Sequence, residues 1–246
     1  MESSSTFKPC YTLFLSTNTA HSVNPHLFKK LSYDPIADFT PIARVCYFPF
    51  VLAVNANLPV TSVEQLVALG RSSQGKTSYA CGNSTGQIAG AAFTALTKMD
   101  ATAVPYKSTP QALTDLIGNQ VTFLFVDLAS SQVHVKSGRV RLLAVTSEQK
   151  SPQAPELPTI AAAAGLPGFD LSAWVGVLGP AGLPPEITAR VGEQILRMLA
   201  RKDIGDKLAA MGADVAPASG AELDRYMRAQ LLAWGRKVKD AGITPE

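Results

Sequence analysis

The chain has 246 residues, of which 46% are hydrophobic and 17% charged, and its formal net charge is +3. This length suits one large domain or two small ones, and this balance of apolar and charged residues excludes an intrinsically disordered chain. The lysines and arginines are scattered, so no basic run indicates a nucleic-acid groove, and no apolar stretch approaches the roughly 20 residues of a membrane helix.

Cysteine and histidine are too few and too dispersed to indicate a metal site. The three cysteines, Cys10, Cys46 and Cys81, have no C-x-x-C spacing and are an odd number, so the sequence predicts neither a zinc site nor a disulfide framework. The first ten residues lack the basic region, the apolar region and the small-residue cleavage site of a secretory signal. The chain as written is therefore not expected to be exported by that route.

Strands and helices alternate along the first 146 residues. Ser84 and Gln87 have the spacing of a capping box, and Thr109 followed by Pro110 suits the start of a helix. The alternation predicts βαβ units and a mainly parallel sheet. The predicted strands are 11–15, 47–55, 77–81, 101–106, 121–126 and 140–146, and the predicted helices are 61–70, 84–98, 109–118 and a short one after residue 127.

The pattern changes after residue 146. Residues 147–158 contain three prolines and predict a linker, and one more strand is predicted at 174–179. The remainder predicts helices, the last of which follows a Ser219/Glu222 capping box. One apolar stripe consists of Ile187, Val191, Ile195, Met198 and Leu199, and the other of Leu223, Met227, Leu231, Trp234 and Val238.

This organisation predicts a discontinuous division of the chain. Residues 77–146 would form one compact αβ lobe, and residues 1–76 and 147–246 would form the other together. Two αβ lobes joined by crossing strands leave a cleft between them, which is where ligands bind in such folds.

Three polar turns, 16–19, 82–87 and 106–109, follow strands and are placed to approach this cleft. Helix N-termini carry free N–H groups and a positive partial charge, so they bind anions. Gly82 and Gly86 would let backbone N–H groups come close to a ligand, and Ser84 and Thr85 add hydroxyl groups. The implied ligand is a small anion, most simply a carboxylate. A purely structural interpretation stays open, because serine and threonine commonly cap helices.

The ordered set of short motifs resembles the solute-binding proteins of tripartite tricarboxylate transporters, the Bug family. The motifs that carry this resemblance are 11–21, 24–35, 38–41, 82–86, 104–107, 118–121, 143–146, 157–159, 165–169 and 174–180.

The resemblance implies an α/β fold of the periplasmic-binding-protein type II kind, with two αβ lobes, crossing strands and a ligand cleft. It implies a periplasmic protein that captures a small carboxylate and delivers it to membrane transporter subunits. The ligand would be a di- or tricarboxylate, an acidic amino acid or an aromatic acid. A monomer without cofactor, metal, nucleic acid or catalysis is expected.

The resemblance also implies which residues face the ligand. Thr17, Asn18 and Thr19 match the loop on the first-lobe side of the cleft. The other matching positions are Gly82, Asn83, Ser84, Thr85 and Gly86 at a helix start, Tyr106, Lys107 and Ser108 in the next crossing loop, and Asp127 after the following strand. Lys107 also fits a solvated surface charge, and Asp127 also fits an N-cap. Trp174 is expected to pack near the hinge, and His21 to be a loop or packing residue.

One part of the family pattern is not matched. The family begins with a signal peptide and a strand–loop–helix unit, whose loop binds one ligand carboxylate, and residues 1–10 do not resemble it. Half of the expected site is therefore unmatched, and the alternative is a truncated remnant or interaction protein without ligand affinity.

An enzyme is the other alternative. Residues 82–86 read G-x-S-x-G after a predicted strand, which is the context of a nucleophile elbow. A hydrolase would need Ser84 with Asp127 and His134 as partners, but the acid and base of such enzymes follow later strands. Cys81 is a poorer nucleophile, because its position in a strand predicts burial.

Overall fold

The computed structural model describes residues 12–73, 76–240 and 242–245. The expectations for Cys10 and for the strand start at residue 11 lie outside this part. The strands are β1 (Phe14–Thr17), β2 (Phe39–Phe48), β3 (Phe50–Asn55), β4 (Thr77–Cys81), β5 (Ala101–Pro105), β6 (Phe123–Asp127), β7 (Val140–Val145), β8 (Ala173–Pro180) and β9 (Asp214–Ser219). The helices are α1 (Asn24–Leu27), α2 (Val63–Ser72), α3 (Ser84–Thr97), α4 (Thr109–Ile117), α5 (Leu128–Lys136), α6 (Ile160–Ala163), α7 (Pro185–Leu199), α8 (Lys202–Ala210) and α9 (Gly220–Asp240), and a π-helical turn covers Thr19–Val23.

The strands form two sheets, as a two-lobed α/β fold requires. The first sheet has the order β1-β8-β2-β9 and is antiparallel. The second has the order β5-β4-β6-β3-β7, in which β4 runs parallel to β5 and β6 while β3 runs antiparallel to β6 and β7. The prediction of a mainly parallel sheet is wrong for the first sheet. In the second sheet β5, β4, β6 and β7 run in one direction and are joined by βαβ connections, and only β3, which enters from the first sheet, runs the other way.

The chain crosses between the sheets at Pro49, which separates β2 from β3. Proline has no N–H group to donate to a ladder, so the strand is interrupted there. The second crossing lies beside the first: Thr146 N donates to Phe50 O over 2.8 Å, and Leu171 N donates to Thr146 O over 3.1 Å. These backbone bonds hold the two crossing segments side by side.

The observed second sheet begins earlier than the predicted division at residue 77. All six residues of β3 are buried, and this strand lies between β6 and β7 rather than in the first sheet. Helix α2 goes with it, since Val63 and Leu66 share a core cluster with Leu52 of β3. A strand apolar on both faces is stable in the interior of a covered sheet, which accounts for this placement.

The N-caps of α3 and α4 differ from the predicted ones by one residue, and α2 begins at Val63 rather than at residue 61. Asn83, rather than Ser84, caps α3, and its Oδ1 accepts from Gly86 N over 2.8 Å. The N-cap of α4 is Ser108 rather than Thr109. The predicted box at α9 is confirmed, because Glu222 Oε2 accepts from Ser219 N over 2.8 Å. Strand β9 and residues 39–46 of β2 were not predicted.

Helix α9 joins the two sheets. Its residues Trp234 and Val238 belong to the core cluster that includes Ile88 and Phe93 of α3. The apolar stripe of α9 is thus buried, except that Leu231 is half-buried. The predicted stripe of α7 behaves differently: of its five residues only Leu199 is buried.

Candidate functional site

The predicted second-lobe residues meet at one edge of the five-stranded sheet. Strands β5, β4 and β6 are parallel neighbours, so their carboxyl ends lie side by side. The structure therefore brings together 82–86 after β4, 106–108 after β5, and Asp127 at the end of β6. This edge is the usual position for ligands in α/β folds.

Close packing fixes the loop after β4 against the loop after β5. Tyr106 N donates to Cys81 O over 3.0 Å, and Asn83 Nδ2 donates to Thr109 Oγ1 over 3.1 Å. A Cβ atom on Gly82 would lie 2.7 Å from Thr109 Cα, a distance at which backbone must shift. Glycine is therefore required at residue 82 for the two loops to approach each other.

The first turn of α3 is packed onto β6 in the same way. A Cβ atom on Gly86 would lie 2.6 Å from Phe125 O. Ser84 is half-buried and Thr85 is buried at this turn. Their backbone N–H groups belong to the first turn of an α-helix, where intrahelical acceptors are missing. With Asn83 capping Gly86 N, these two N–H groups and the Ser84 hydroxyl can donate to an anion.

In the loop after β5, the hydroxyl group of Tyr106 is already engaged within the protein. The Tyr106 hydroxyl donates to Asp115 Oδ2 over 2.8 Å. Desolvation and this hydrogen bond raise the pKa of Tyr106 to about 12, so the hydroxyl stays protonated. Lys107 is exposed, as a solvated surface charge would be. Ser108 stands at the N-cap position of α4, but its side chain makes no capping hydrogen bond.

Asp127 acts as the N-cap of α5. Its Oδ1 accepts from Ser130 N over 2.8 Å, and its Oδ2 accepts from Ser130 Oγ over 2.9 Å. Both carboxylate oxygens are thus engaged within the first turn of the helix. The capping interpretation of this residue is the one that the hydrogen bonds support.

Of the predicted first-lobe residues, Thr17 ends β1, and Asn18 and Thr19 stand at the start of the π-helical turn. Thr17 is exposed, Asn18 is buried, and Thr19 begins the π-helical turn. This turn contacts both α3 and α9. The structure therefore brings the turn after β1 and the helix after β4 together from opposite sheets.

Three buried polar side chains near this contact have no hydrogen-bond partner among the described residues. They are both amide atoms of Asn18, the Ser22 hydroxyl and Trp174 Nε1. Thr17 of β1 pairs with Val175 of β8. Asn18 directly follows Thr17 and Trp174 directly precedes Val175, so the two residues lie next to each other at the end of this pairing. Asn18 and Ser22 are four residues apart, the spacing that puts two side chains on one helical face. Buried polar groups are nearly always paired in native proteins, so this set is suited to a bound water or ligand group.

Sequence reasoning missed Ser22 in this set and treated Trp174 as packing. The four-residue spacing of Asn18 and Ser22 was the available signal. No pattern in the sequence indicated that Trp174 belongs to this polar set, because its place beside Asn18 depends on the pairing of β8 with β1.

His21 is a buried packing residue, as predicted. Its Nδ1 lies 2.7 Å from Pro35 O, and its Nε2 lies 2.9 Å from Ser16 Oγ. A carbonyl can only accept, so Nδ1 carries the proton and Nε2 accepts from the serine hydroxyl. Desolvation lowers the pKa of His21, because its ring lies between Phe39 and Trp174 at centroid distances of 4.7 and 5.8 Å.

Asp127 and His134, the proposed partners of Ser84 in a hydrolase, make their hydrogen bonds to other residues. Asp127 is engaged by Ser130, and His134 Nδ1 lies 3.3 Å from Arg139 Nη2. Cys81 is buried as predicted, and desolvation raises the pKa of its thiol to about 11, which disfavours the nucleophilic thiolate.

A separate cleft of about 360 Å³ lies beside the two crossing segments. Tyr47 and Tyr226 form part of its wall, with Asp170 and Asp214 near by. Desolvation raises the pKa of Asp214 even though Ser151 Oγ donates to it over 3.0 Å. None of the predicted ligand residues lines this cleft.

Known proteins resemble this chain over nearly its whole length. The family model described as "Tripartite tricarboxylate transporter family receptor" matches residues 3–243. A protein from the tcbD–tcbE intergenic region of Pseudomonas sp. strain P51 is 30% identical over 226 residues, which are 91% of this chain and 67% of that protein. No helix in the described ranges is both long and apolar enough to cross a membrane.

Two solved structures extend the comparison to the fold. R. palustris Rpa4515 with adipate has a TM-score of 0.85 and 33% identity, over 96% of this chain and 79% of that one. MatC from Rhodopseudomonas palustris with bound malate has a TM-score of 0.76 and 27% identity, over 92% of this chain and 79% of that one. The two-lobed α/β fold predicted from the sequence is confirmed by these likenesses.

Proposed function

The chain belongs to the tripartite tricarboxylate transporter receptor family, and we propose that it captures a small carboxylate and presents it to the membrane subunits of such a transporter. In this role it would work in the periplasm as a binding protein and carry out no chemical step.

The first turn of α3 is the observation that carries this proposal. Its N–H groups lie at the carboxyl edge of the parallel strands, and Gly82 and Gly86 hold the turn where a side chain at either position would collide with backbone. Free N–H groups and the helix dipole favour a carboxylate at this point. The π-helical turn after β1 contacts α3, so it can supply the opposite wall.

The length of the ligand is the finer part of the proposal. Rpa4515 was solved with adipate and MatC with malate, and both ligands are dicarboxylates. A dicarboxylate needs two anchors. One carboxylate would bind the first turn of α3, and the other end would reach the buried polar atoms of Asn18, Ser22 and Trp174.

Binding would be linked to a change between open and closed lobes. The chain passes between the two sheets at Pro49 and again after Thr146, and the hinge of such a motion would lie in these two crossing segments. A ligand shifts such an equilibrium only by contacting one state better than the other. Contacts to both α3 and the π-helical turn would exist in the closed state alone.

A thermal-shift panel followed by calorimetry tests the proposal. Adipate, malate, succinate, citrate, glutamate and benzoate would each be compared with sodium chloride at equal ionic strength. A ligand at 100 times its Kd adds about 2.7 kcal/mol, which for this length raises the melting temperature by about 5–10 °C. A selective rise that Gly86→Ala removes and Gly205→Ala keeps is expected. A cooperative melt that none of the six anions shifts would contradict the proposal and favour a non-binding remnant.

A further inference from the structure

The cleft of about 360 Å³ beside the crossing segments has walls from both lobes. The first-lobe wall includes residues of β2, β9 and α9, namely Tyr47, Asp214 and Tyr226. The opposite wall belongs to the segment 147–152, which follows β7. This segment goes with the second lobe, because Ala154 and Leu157 just beyond it share a core cluster with Val145 of β7. The space between these two walls is called the rear cleft below.

The rear cleft and the candidate site lie on opposite sides of the crossing from β2 to β3. In the second sheet, β4 and β7 lie on opposite sides of β3, and the candidate site follows β4 whereas the segment 147–152 follows β7. In the first sheet, β1 and β9 lie on opposite sides of β2, and Asn18 follows β1 whereas Asp214 begins β9. A rotation of the lobes about this crossing that closes the candidate site therefore widens the rear cleft, and opening the site narrows it.

The described arrangement has the lobes together at the candidate site and apart at the rear cleft. At the site, the π-helical turn after β1 contacts α3 of the other lobe. At the rear, the two lobes are joined where Ser151 Oγ donates to Asp214 Oδ1 over 3.0 Å, while residues 148–150 are exposed beside the cleft. Opening of the site thus has to move the segment 147–152 into the space of the rear cleft.

The first-lobe wall of the rear cleft is a packed cluster that gives way little. The rings of Tyr47 and Tyr226 lie 5.8 Å apart, centroid to centroid, in an edge-on arrangement. The guanidinium group of Arg44 lies 4.7 Å from the Tyr47 centroid and 5.2 Å from that of Tyr226, and its Nε donates to Ala216 O over 2.9 Å. Close-packed groups of this kind have low compressibility, so the volume between the walls limits how far the lobes can open.

We propose that the rear cleft controls the equilibrium between open and closed lobes, and that a group filling it holds the closed arrangement. Ligand affinity would then rise without any new contact to the ligand, because the apparent Kd is the intrinsic Kd divided by the fraction of molecules in the binding-competent state. Release of the ligand would slow, since release requires the lobes to open. The effect on affinity rests on the proposed capture of a carboxylate, whereas the effect on the lobes does not.

A wedge in the rear cleft tests the proposal. Gln149 lines the cleft and is exposed, so a larger side chain there can enter the space without displacing the core. Gln149→Trp should lower the Kd for adipate or malate at least about threefold and slow its dissociation, and Gln149→Leu should do so by less. Gln194→Trp is the matched control, because Gln194 is exposed on α7 and is not among the residues that line the cleft. An unchanged or higher Kd in Gln149→Trp would overturn the proposal.

Small-angle X-ray scattering without ligand gives a readout that needs no binding. Gln149→Trp should have a smaller radius of gyration than the wild-type chain, and Gln194→Trp should not. If neither adipate nor malate binds but Gln149→Trp is more compact, the proposed function fails and the role of the rear cleft stands. If the wild-type chain binds one of them and Gln149→Trp changes neither the Kd nor the radius of gyration, the role of the rear cleft alone is overturned.

Discussion

Asn83 Nδ2 donates to Thr109 Oγ1 over 3.1 Å, while the Oδ1 of the same side chain caps α3 at Gly86 N over 2.8 Å. One amide thus holds the first turns of α3 and α4 in a fixed relation. Both turns lie at the candidate site. The geometry of the site therefore depends on a side chain that needs to make no ligand contact of its own.

Replacing Asn83 should separate its two roles. Asn83→Ala loses both hydrogen bonds and should lower the free energy of unfolding by about 1 kcal/mol. Asn83→Ser keeps a capping oxygen but is too short to reach Thr109, so it should recover most of that stability. Urea denaturation measures the difference. Equal losses in the two variants would show that the bond to Thr109, and not the cap, supplies the stability.

Gly86 should be intolerant of any side chain. An added methyl group would lie 2.6 Å from Phe125 O, so α3 must move away from β6. We expect Gly86→Ala to lower stability by about 1–3 kcal/mol and to weaken carboxylate binding at least tenfold. In Gly205→Ala on α8 the added methyl group has no atom of the described residues within 4 Å, so this variant serves as the control. Wild-type affinity in Gly86→Ala, measured by calorimetry, would show that the first turn of α3 does not hold the ligand.

His21 should make the folded state sensitive to mild acid. Burial lowers its pKa below the ordinary value of 6.5, so the unfolded chain binds the proton more readily than the native one. The stabilisation is present above pH 6.5 and is lost as the pH falls below it, with a slope of up to about 1.4 kcal/mol per pH unit. Denaturation curves from pH 7.5 to 5 measure this slope. It should flatten in His21→Gln and persist in His134→Gln; an unchanged slope in His21→Gln would assign it to other groups.

The two tryptophans form a matched pair of fully buried residues. Trp234 Nε1 donates to Gln230 Oε1 over 3.0 Å, whereas Trp174 Nε1 has no partner in the part of the chain that the structure describes. Trp174→Phe should therefore cost about 1 kcal/mol less in stability than Trp234→Phe. If Trp174 donates to the ligand, only Trp174→Phe should also weaken carboxylate binding. Chemical denaturation and calorimetry on both variants measure these effects, and an equal loss of affinity in the two would remove Trp174 from the site.

The sequence by itself determined the local elements and the family. Alternating strands and helices, the box at Ser219 and Glu222, and the buried position of Cys81 depend on neighbouring residues along the chain, so they could be read directly. The ordered motifs predicted the two-lobed fold that the comparisons confirm. Gly82 and Gly86 were recognised as special, although the backbone atoms they approach were not.

Only the tertiary structure decided how these elements are joined. The direction of β3 follows from the crossing at Pro49, and no local pattern specifies which sheet a crossing strand enters. Asp127 and Asn83 are N-caps because α5 and α3 begin at the next residue. A shift of one residue in either helix start would give the cap to another side chain. The stripe of α7 could be seen in the sequence, but its exposure could not. Hydrophobic periodicity shows that a face is apolar, whereas the packing of other elements decides what covers it.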